Sequence, residues 1–502
     1  MVQLRDANMK TQNYINGKWC DSRDARIFST LNPTTGKVLA EVSRSSVPDV
    51  DDAIDAASRA FPDWKATPAP LRANILFRVA ELAQDREDTL AHYITQEYGK
   101  MLADAHGDVQ ELIHTALYWM GEGRRHSAQM VPSEKREKFG FSRREPYGVV
   151  VALSPSNFSF TKACLKIFPA IIFGNTVVHK PSRETPLIGT AFQELLNDAG
   201  LPAGVVNTVL GYSEEIGDRL VEHPKVDMIT YTGETIVGRS IAARAGERLV
   251  PVSLELNAKN ALIVNSDADL ELALDWAVKS AYATNGQRES AASRIILHEE
   301  IADDFTQAFV DRVQGLKVGD PLDEVNDIGP LVSASQTEAI HDYVQRSVDS
   351  GGRVLCGGQR PSEQALTNGF FYTPTVIVNV DPYSELAMEE VLGPSTMLFR
   401  VPELNEAIKI ANATPHVLSM SIFSENIETA FRTADLFEAG VVWINCGTAG
   451  AEVGTPFQGS KAYGIGTTEW GQGAIDTFTR WKTTYVNYSS DHRFVFEDTR
   501  IR

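Results

Sequence analysis

Residues 223–239 read HPKVDMITYTGETIVGR. The run from 226 to 233 is short, apolar and rich in β-branched residues, and it closes on a glycine, which is the signature of a buried strand. The same texture recurs in PYGVVVALSPSN (146–157), NTVVHKP (175–181), VVNTVLG (205–211), VPVSLEL (250–256) and NALIVN (260–265). Helical segments separate most of these runs. Strands that alternate with helices predict a mostly parallel sheet covered on both faces. Upstream, residues 71–116 read as helical, with Ile75, Leu76, Val79 and Leu82 at three-to-four spacing and Pro68 and Pro70 at the entry. Downstream the texture repeats: LELALDWAVKSAYA is helical, SRIILHEE is a strand and IADDFTQAFVDRVQGL is helical. A second α/β domain therefore begins near residue 258. The tail RWKTTYVNYSSDHRFVFED is strand-like, and a strand at a chain end often pairs with a neighbouring sheet or subunit.

The chain has 502 residues, too many for one ordinary core, so two or three domains are expected. Its 43% hydrophobic and 23% charged residues are those of a globular protein. A net charge of −19 argues against nucleic acid as a partner. The basic cluster Lys135, Arg136, Lys138, Arg143 and Arg144 alternates with Glu134, Glu137 and Glu145, which predicts a solvated hairpin. No uncharged apolar run reaches membrane-spanning length, and the polar N-terminus lacks a signal-peptide core, so no membrane association and a cytoplasmic location are expected. Cys20, Cys164, Cys356 and Cys446 are far apart, show no metal-ligand spacing and read as free thiols, with no metal expected.

Nine motifs, in order, resemble the aldehyde dehydrogenase superfamily: NPTTGKVLAEV, SPSNF, GNTVVHKPS, LPAGVVNTVLG, HPKVDMITYTGETIVGR, LELNAKN, NGQRESAASR, EEVLGPS and PFQGSKAYGIG. The resemblance runs from about residue 14 to 486. It implies two Rossmann-like α/β domains plus a β oligomerisation arm. The expected division is 1–127 and 147–257 for a nucleotide-binding-type domain, 258–469 for a catalytic-type domain, and 128–146 with 470–502 for the hairpin and C-terminal arm. A homodimer or tetramer acting on a small molecule is the implied state.

The family oxidises aldehydes through a cysteine thiolate, with an asparagine holding the oxyanion, a glutamate activating water and a nicotinamide accepting hydride. In NGQRESAASR (285–294), Gly286, Gln287 and Arg294 keep the family's register, which puts Glu289 at the cysteine position. Ser290, one place on, breaks the spacing to Arg294 and has no adjacent base. Asn157 matches the oxyanion asparagine, against a plain reading as a helix cap, and Glu255 matches the general base, against a polar strand end. On the cofactor side, Lys180, Gly233 and Glu390 match binding positions. Arg183 stands where a glutamate is common, Glu234 where a serine is common, Asn257-Ala258 replace a Gly-Gly pair, Leu392 replaces a phenylalanine and Gln458 a glycine. A carboxylate at Glu234 is expected to fill the anion site at its helix start itself.

These departures lead to the expectation of non-oxidative acid/base chemistry on a carbonyl-type molecule. Glu289 and Glu255 raise each other's pKa, and Arg288 pairs with Glu289 or with a substrate carboxylate. The alternatives are an NAD(P)-dependent aldehyde or semialdehyde dehydrogenase and a catalytically silent scaffold or regulatory subunit. The cofactor is accordingly either none, or NAD or NADP.

Overall fold

A computed structural model describes residues 10–125, 128–134 and 137–488. Two large sheets organise it. The first has eight strands in the order Gly464–Ile465, Val252–Glu255, Met228–Thr232, Val149–Leu153, Thr176–Lys180, Val206–Thr208, Asn13–Ile15, Lys18–Cys20. Its five central strands run parallel, and both edges are antiparallel. The second has seven strands in the order Arg353–Cys356, Thr375–Val378, Ser395–Val401, Arg294–His298, Ala261–Val264, Ser419–Phe423, Val441–Ile444, and only its first strand is antiparallel. The two parallel sheets predicted from the apolar runs are therefore present, in the aldehyde dehydrogenase-like α/β arrangement.

The helical region from 71 to 116 is three helices, Ala69–Asp85, Glu87–Tyr98 and Leu102–Glu122. The second ends on Gly99 in the left-handed region (φ +87°), a conformation that favours glycine. Between the N-terminal helices and the first sheet lies the helix Ser159–Ile172. Every one of its residues is buried, including Lys162 and Lys166. A helix buried all round must give each charge a partner.

The basic hairpin forms: Gln129–Val131 pairs with Lys138–Pro146, and Thr479–Asn487 adds along the other side over nine residue pairs. Its charges are matched. Lys65, Arg143 and Lys482 meet Glu145, and Arg144 meets Asp476. Lys135 and Arg136 lie outside the described residues, as does the tail beyond Tyr488. The N-terminal strands from Lys10 to Ser43 carry no long apolar run, and the periodicity does not predict them. Among the described residues no helix is long and apolar enough to cross a membrane. Nor is there a cluster of three metal-ligating side chains among them.

The parallel strands of the first sheet all end on one side. Asn157, Lys180, Gly233, Glu234, Glu255 and Asn257 follow or close those ends, where open α/β sheets gather ligands.

Candidate active site

The loop before Arg294–His298 is built by backbone constraint. Thr284, Asn285 and Gly286 take consecutive left-handed conformations, with φ of 55°, 59° and 68°. Two of these are not glycines, so the surroundings must hold them. Asn285 donates to the carbonyls of Gly99 and Pro330 (2.9 and 2.8 Å) and accepts from Gly329 N–H (2.7 Å). Asp104 accepts from Thr284 N–H at 2.8 Å. Arg294, fully buried, donates to the carbonyls of Ile410, Lys259 and Ala411. Asn260 Nδ2 donates to the carbonyls of Glu289 and Ala291, at 2.6 and 3.2 Å. The loop frame expected from Gly286, Gln287 and Arg294 is thus held from three sides.

Glu289 lines a cavity of about 270 Å³ with Asp104, Asp108, Phe158, Lys162, Arg288 and Trp470 among its walls. Asn157 Nδ2 lies 3.5 Å from Glu289 Oε1 and 3.4 Å from the Gln287 carbonyl. Its Oδ1 accepts from Phe158 N–H at 3.2 Å, and the cap position of the following helix belongs to Phe158. Glu255 closes its strand and enters the same cluster. Asn157, Glu255 and Glu289 are therefore brought together.

What joins them is Lys162, which the sequence reading did not single out. Its Nζ lies 2.7 Å from Glu255 Oε2 and 2.8 Å from Glu289 Oε2. Burial works to lower the Lys162 pKa, but Glu255 and Glu289 outweigh it and hold the ammonium above the ordinary lysine value. Burial works to raise the Glu255 carboxyl, yet Lys162 and Lys166 outweigh it and hold that group below its usual value. The expectation that Glu289 drives the Glu255 pKa upward is corrected: a cation sits between the two carboxylates. Glu255 Oε2 also accepts from Thr232 Oγ1 at 3.0 Å, while Oε1 is buried without a partner among the described residues. One helical turn on, Lys166 Nζ donates to Glu469 Oε2 (2.8 Å) and Thr230 Oγ1 (2.9 Å). Two lysines four apart in an otherwise apolar helix, FTKACLKI, were the available signal.

Arg288 does not pair with Glu289. Its Nε donates to Thr284 Oγ1 (3.0 Å), and its guanidinium lies 5.3 Å from the Phe158 ring centre. Among the described residues it has no ion-pair partner. Ser290 lines the cavity, and its carbonyl accepts from Thr448 Oγ1. No histidine or cysteine is among the lining residues. Cys164 is on the buried helix, facing the core, and burial pushes its thiol well above the ordinary value.

Of the residues expected to face a cofactor, Lys180 is buried at its strand end, donates to the Pro181 carbonyl (3.2 Å) and is brought down to about 8 by burial. Arg183 is half-exposed and engaged by Glu184 (3.2 Å) and Glu214 (3.6 Å). Gly233 N–H donates to the Glu255 carbonyl at 3.0 Å. Glu234 is exposed and does not cap the helix Thr235–Glu247 that it precedes. Asn257 does: its Oδ1 accepts from Thr235 N–H at 2.7 Å. The expectation that the Glu234 carboxylate fills the anion site is corrected accordingly. Asn257 Nδ2 donates in turn to Glu390, and Ala258 N–H donates to the other Glu390 oxygen at 3.1 Å. Burial pushes the Glu390 carboxyl up to about 7. Leu392 is half-buried, and its carbonyl accepts from Gln336 Nε2 at 2.5 Å.

Comparison with known proteins fixes the setting. The aldehyde dehydrogenase family matches residues 19–484. The chain belongs to the aldehyde dehydrogenase family. It is 34% identical to the α-ketoglutaric semialdehyde dehydrogenase of Bacillus subtilis, over 94% of this chain and 97% of that one. It is 34% identical to the NADP⁺ D-glyceraldehyde dehydrogenase of Picrophilus torridus, over 95% and 96%. Among solved structures, betaine aldehyde dehydrogenase of Staphylococcus aureus in complex with NAD⁺ superposes with a TM-score of 0.93 at 32% identity, covering 97% of each chain. These relatives are dehydrogenases. That overturns the expectation of non-oxidative chemistry in favour of the oxidoreductase alternative.

This geometry sets the cost of changing Gly286 and Lys162. A Cβ on Gly286 would meet the Gly393 carbonyl oxygen at 2.2 Å. Gly286→Ala should therefore lower unfolding free energy by about 1–3 kcal/mol in denaturant titration. Lys162→Met removes the cation from two carboxylates, and a loss of about 3–5 kcal/mol is expected. A smaller loss is expected when the same change is made on an E289Q background. The Glu255 carboxyl, held below its unfolded value, contributes stability above that value and loses it as pH falls through the folded one. Lys162→Met should move the acid unfolding transition to higher pH, and an unmoved transition contradicts the assigned pairing.

Proposed function

We propose that this chain is an NAD(P)-linked oxidoreductase of aldehydes or semialdehydes in which the Glu289 carboxylate stands where the family's thiol stands. The observation that carries it is the grouping of Asn157, Glu255 and Lys162 around Glu289, which with Lys162 lines a cavity that has no lining thiol.

The nucleotide has residues to hold it. Lys180 offers a buried ammonium for ribose hydroxyls, the start of Thr235–Glu247 offers backbone N–H groups for phosphate, and Glu390 offers a carboxylate for the second ribose. When bound, the nicotinamide supplies the hydride acceptor. Arg183 is already shared by Glu184 and Glu214, and these acids disfavour a 2′-phosphate, so NAD is the expected form.

Without a thiol, the substrate reacts as its hydrate, which already holds both oxygens of the product acid. Glu289 takes the proton from one hydroxyl as the C–H bond breaks. Asn157 Nδ2 donates to the same oxygen as it becomes a carbonyl. Lys162 holds the Glu255 carboxyl below its usual value and lies 2.8 Å from Glu289 Oε2, which leaves Glu289 Oε1 as the basic atom toward substrate. Arg288, at the cavity wall and free of an acidic partner among the described residues, suits the carboxylate end of a semialdehyde. The name of the Bacillus relative supports that class.

The two sheets support a division into nucleotide-binding-type and catalytic-type domains at about residue 258. Exposed Met130, Val131, Trp481 and Tyr485 on the arm support a homo-oligomer, and the free cysteines support a cytoplasmic location. A second reading, a silent subunit, is favoured by the same Lys162 clamp, which leaves both carboxylates already paired.

The deciding assay follows NAD(P)H absorbance with NAD⁺ or NADP⁺ and a panel of aldehydes and semialdehydes. Turnover is expected with NAD⁺ and should fall about 10²- to 10⁴-fold in Glu289→Gln. A wild-type protein that reduces neither nucleotide with any aldehyde refutes the oxidoreductase reading and leaves the silent subunit.

A further inference from the structure

Asn257 follows the strand Val252–Glu255 by two residues and sits between two elements distant in sequence. Its carbonyl oxygen takes the first N–H of the helix Thr235–Glu247, and its amide nitrogen donates to Glu390. Ala258 N–H fixes the second Glu390 oxygen. One side chain thus spans from a helix N-terminus to a buried carboxylate. These are the two groups a dinucleotide uses at the carboxyl ends of parallel strands, the helix start for its pyrophosphate and an acid for ribose hydroxyls. Thr235 Oγ1 beside them is buried without a partner among the described residues. A hydroxyl at the helix start is therefore left without a partner even with Asn257 in place.

We infer that Asn257 is a latch: its amide bridges the helix start and Glu390 in the free protein, and it must turn away for a dinucleotide to bind. This rests on the oxidoreductase reading above. Nucleotide binding then exchanges two internal hydrogen bonds, one of them to a carboxylate, for contacts with the ligand. The affinity is lowered by the cost of breaking them, as for any site whose competent form is a minor one. Glu234 does not supply this barrier, since its side chain is exposed and caps nothing. A glycine or alanine at 257 abolishes the bridge and leaves both ligand-binding groups in place. Asn257 is not among the left-handed residues, so alanine fits its backbone.

The experiment is calorimetric titration of NAD⁺ and NADP⁺ into wild type, Asn257→Gly, Asn257→Ala and Glu234→Ser. The latch predicts that both Asn257 variants bind NAD⁺ about tenfold or more tightly than wild type. Glu234→Ser should gain less, through charge alone. If nucleotide binds wild type and the Asn257 variants equally, the latch is overturned and the oxidoreductase reading stands. If nucleotide binds the Asn257 variants but not wild type, the latch stands and the oxidoreductase reading of the native chain falls. Binding to none of the four overturns both. Folding of each variant is checked by its thermal transition, and the alanine variant serves if the glycine variant does not fold.

Discussion

Two ammonium groups on one buried helix hold this site in place. Lys162 and Lys166 are one turn apart on Ser159–Ile172, so they project from the same face. Moving a lysine out of water costs several kcal/mol, and that cost is offset only by close carboxylates with further hydrogen bonds. Lys166 finds Glu469 and Thr230, and Lys162 finds Glu255 and Glu289. The helix is thereby tied to the end of one strand and the middle of another in the first sheet, to Glu469, and to the loop of the second sheet. Glu469 and Lys166 are sealed, at 1% and 0% exposure. Glu289 retains 14%, because it also faces the cavity. The same kind of ion pair is structural at one lysine and open to solvent at the other.

The loop that presents Glu289 would not hold its shape alone. Left-handed Thr284 and Asn285 cost free energy that Asn285, Asp104, Asn260 and Arg294 offset through hydrogen bonds to at least three other segments. Such a frame fixes the position of residue 289 regardless of what side chain it bears. A thiol and a carboxylate would both be delivered to the same place beside Asn157. The chemistry of the position is set by its side chain and its neighbours, and here the neighbour is a cation. The proposed role of Glu289 as a base rests on that neighbour, the Lys162 ammonium at 2.8 Å.

The fold was legible because strands buried on both faces write themselves as continuous apolar runs, and each such run from 149 to 264 became a strand. The N-terminal strands from Lys10 to Ser43 alternate or are very short, and left no such trace. In the site, Asn157, Glu255 and Glu289 were legible through motif and register. Lys162 was not, because its partners lie 93 and 127 residues downstream, and spacing along the chain says nothing about that meeting. Glu234 was misjudged for a related reason. A residue at a helix start reads as its cap, but the cap on Thr235 N–H comes from Asn257, 22 residues beyond Thr235, and Glu234 turns to solvent.

The two halves of the crevice are closed by the same device at different strengths. At Glu289, an ammonium satisfies two carboxylates. At Glu390, an amide satisfies an N–H and a carboxylate. Each protects polar groups that would otherwise be buried without partners, and each must yield or be shared when a ligand arrives. A neutral amide with two rotatable bonds yields more easily than a buried ion pair. On the proposed reading, nucleotide entry asks for one side-chain rotation, while the cavity at Glu289 serves only a substrate that works around Lys162. A hydrated aldehyde, which brings its own second oxygen and needs only a base and a hydrogen-bond donor from the protein, makes that demand smallest.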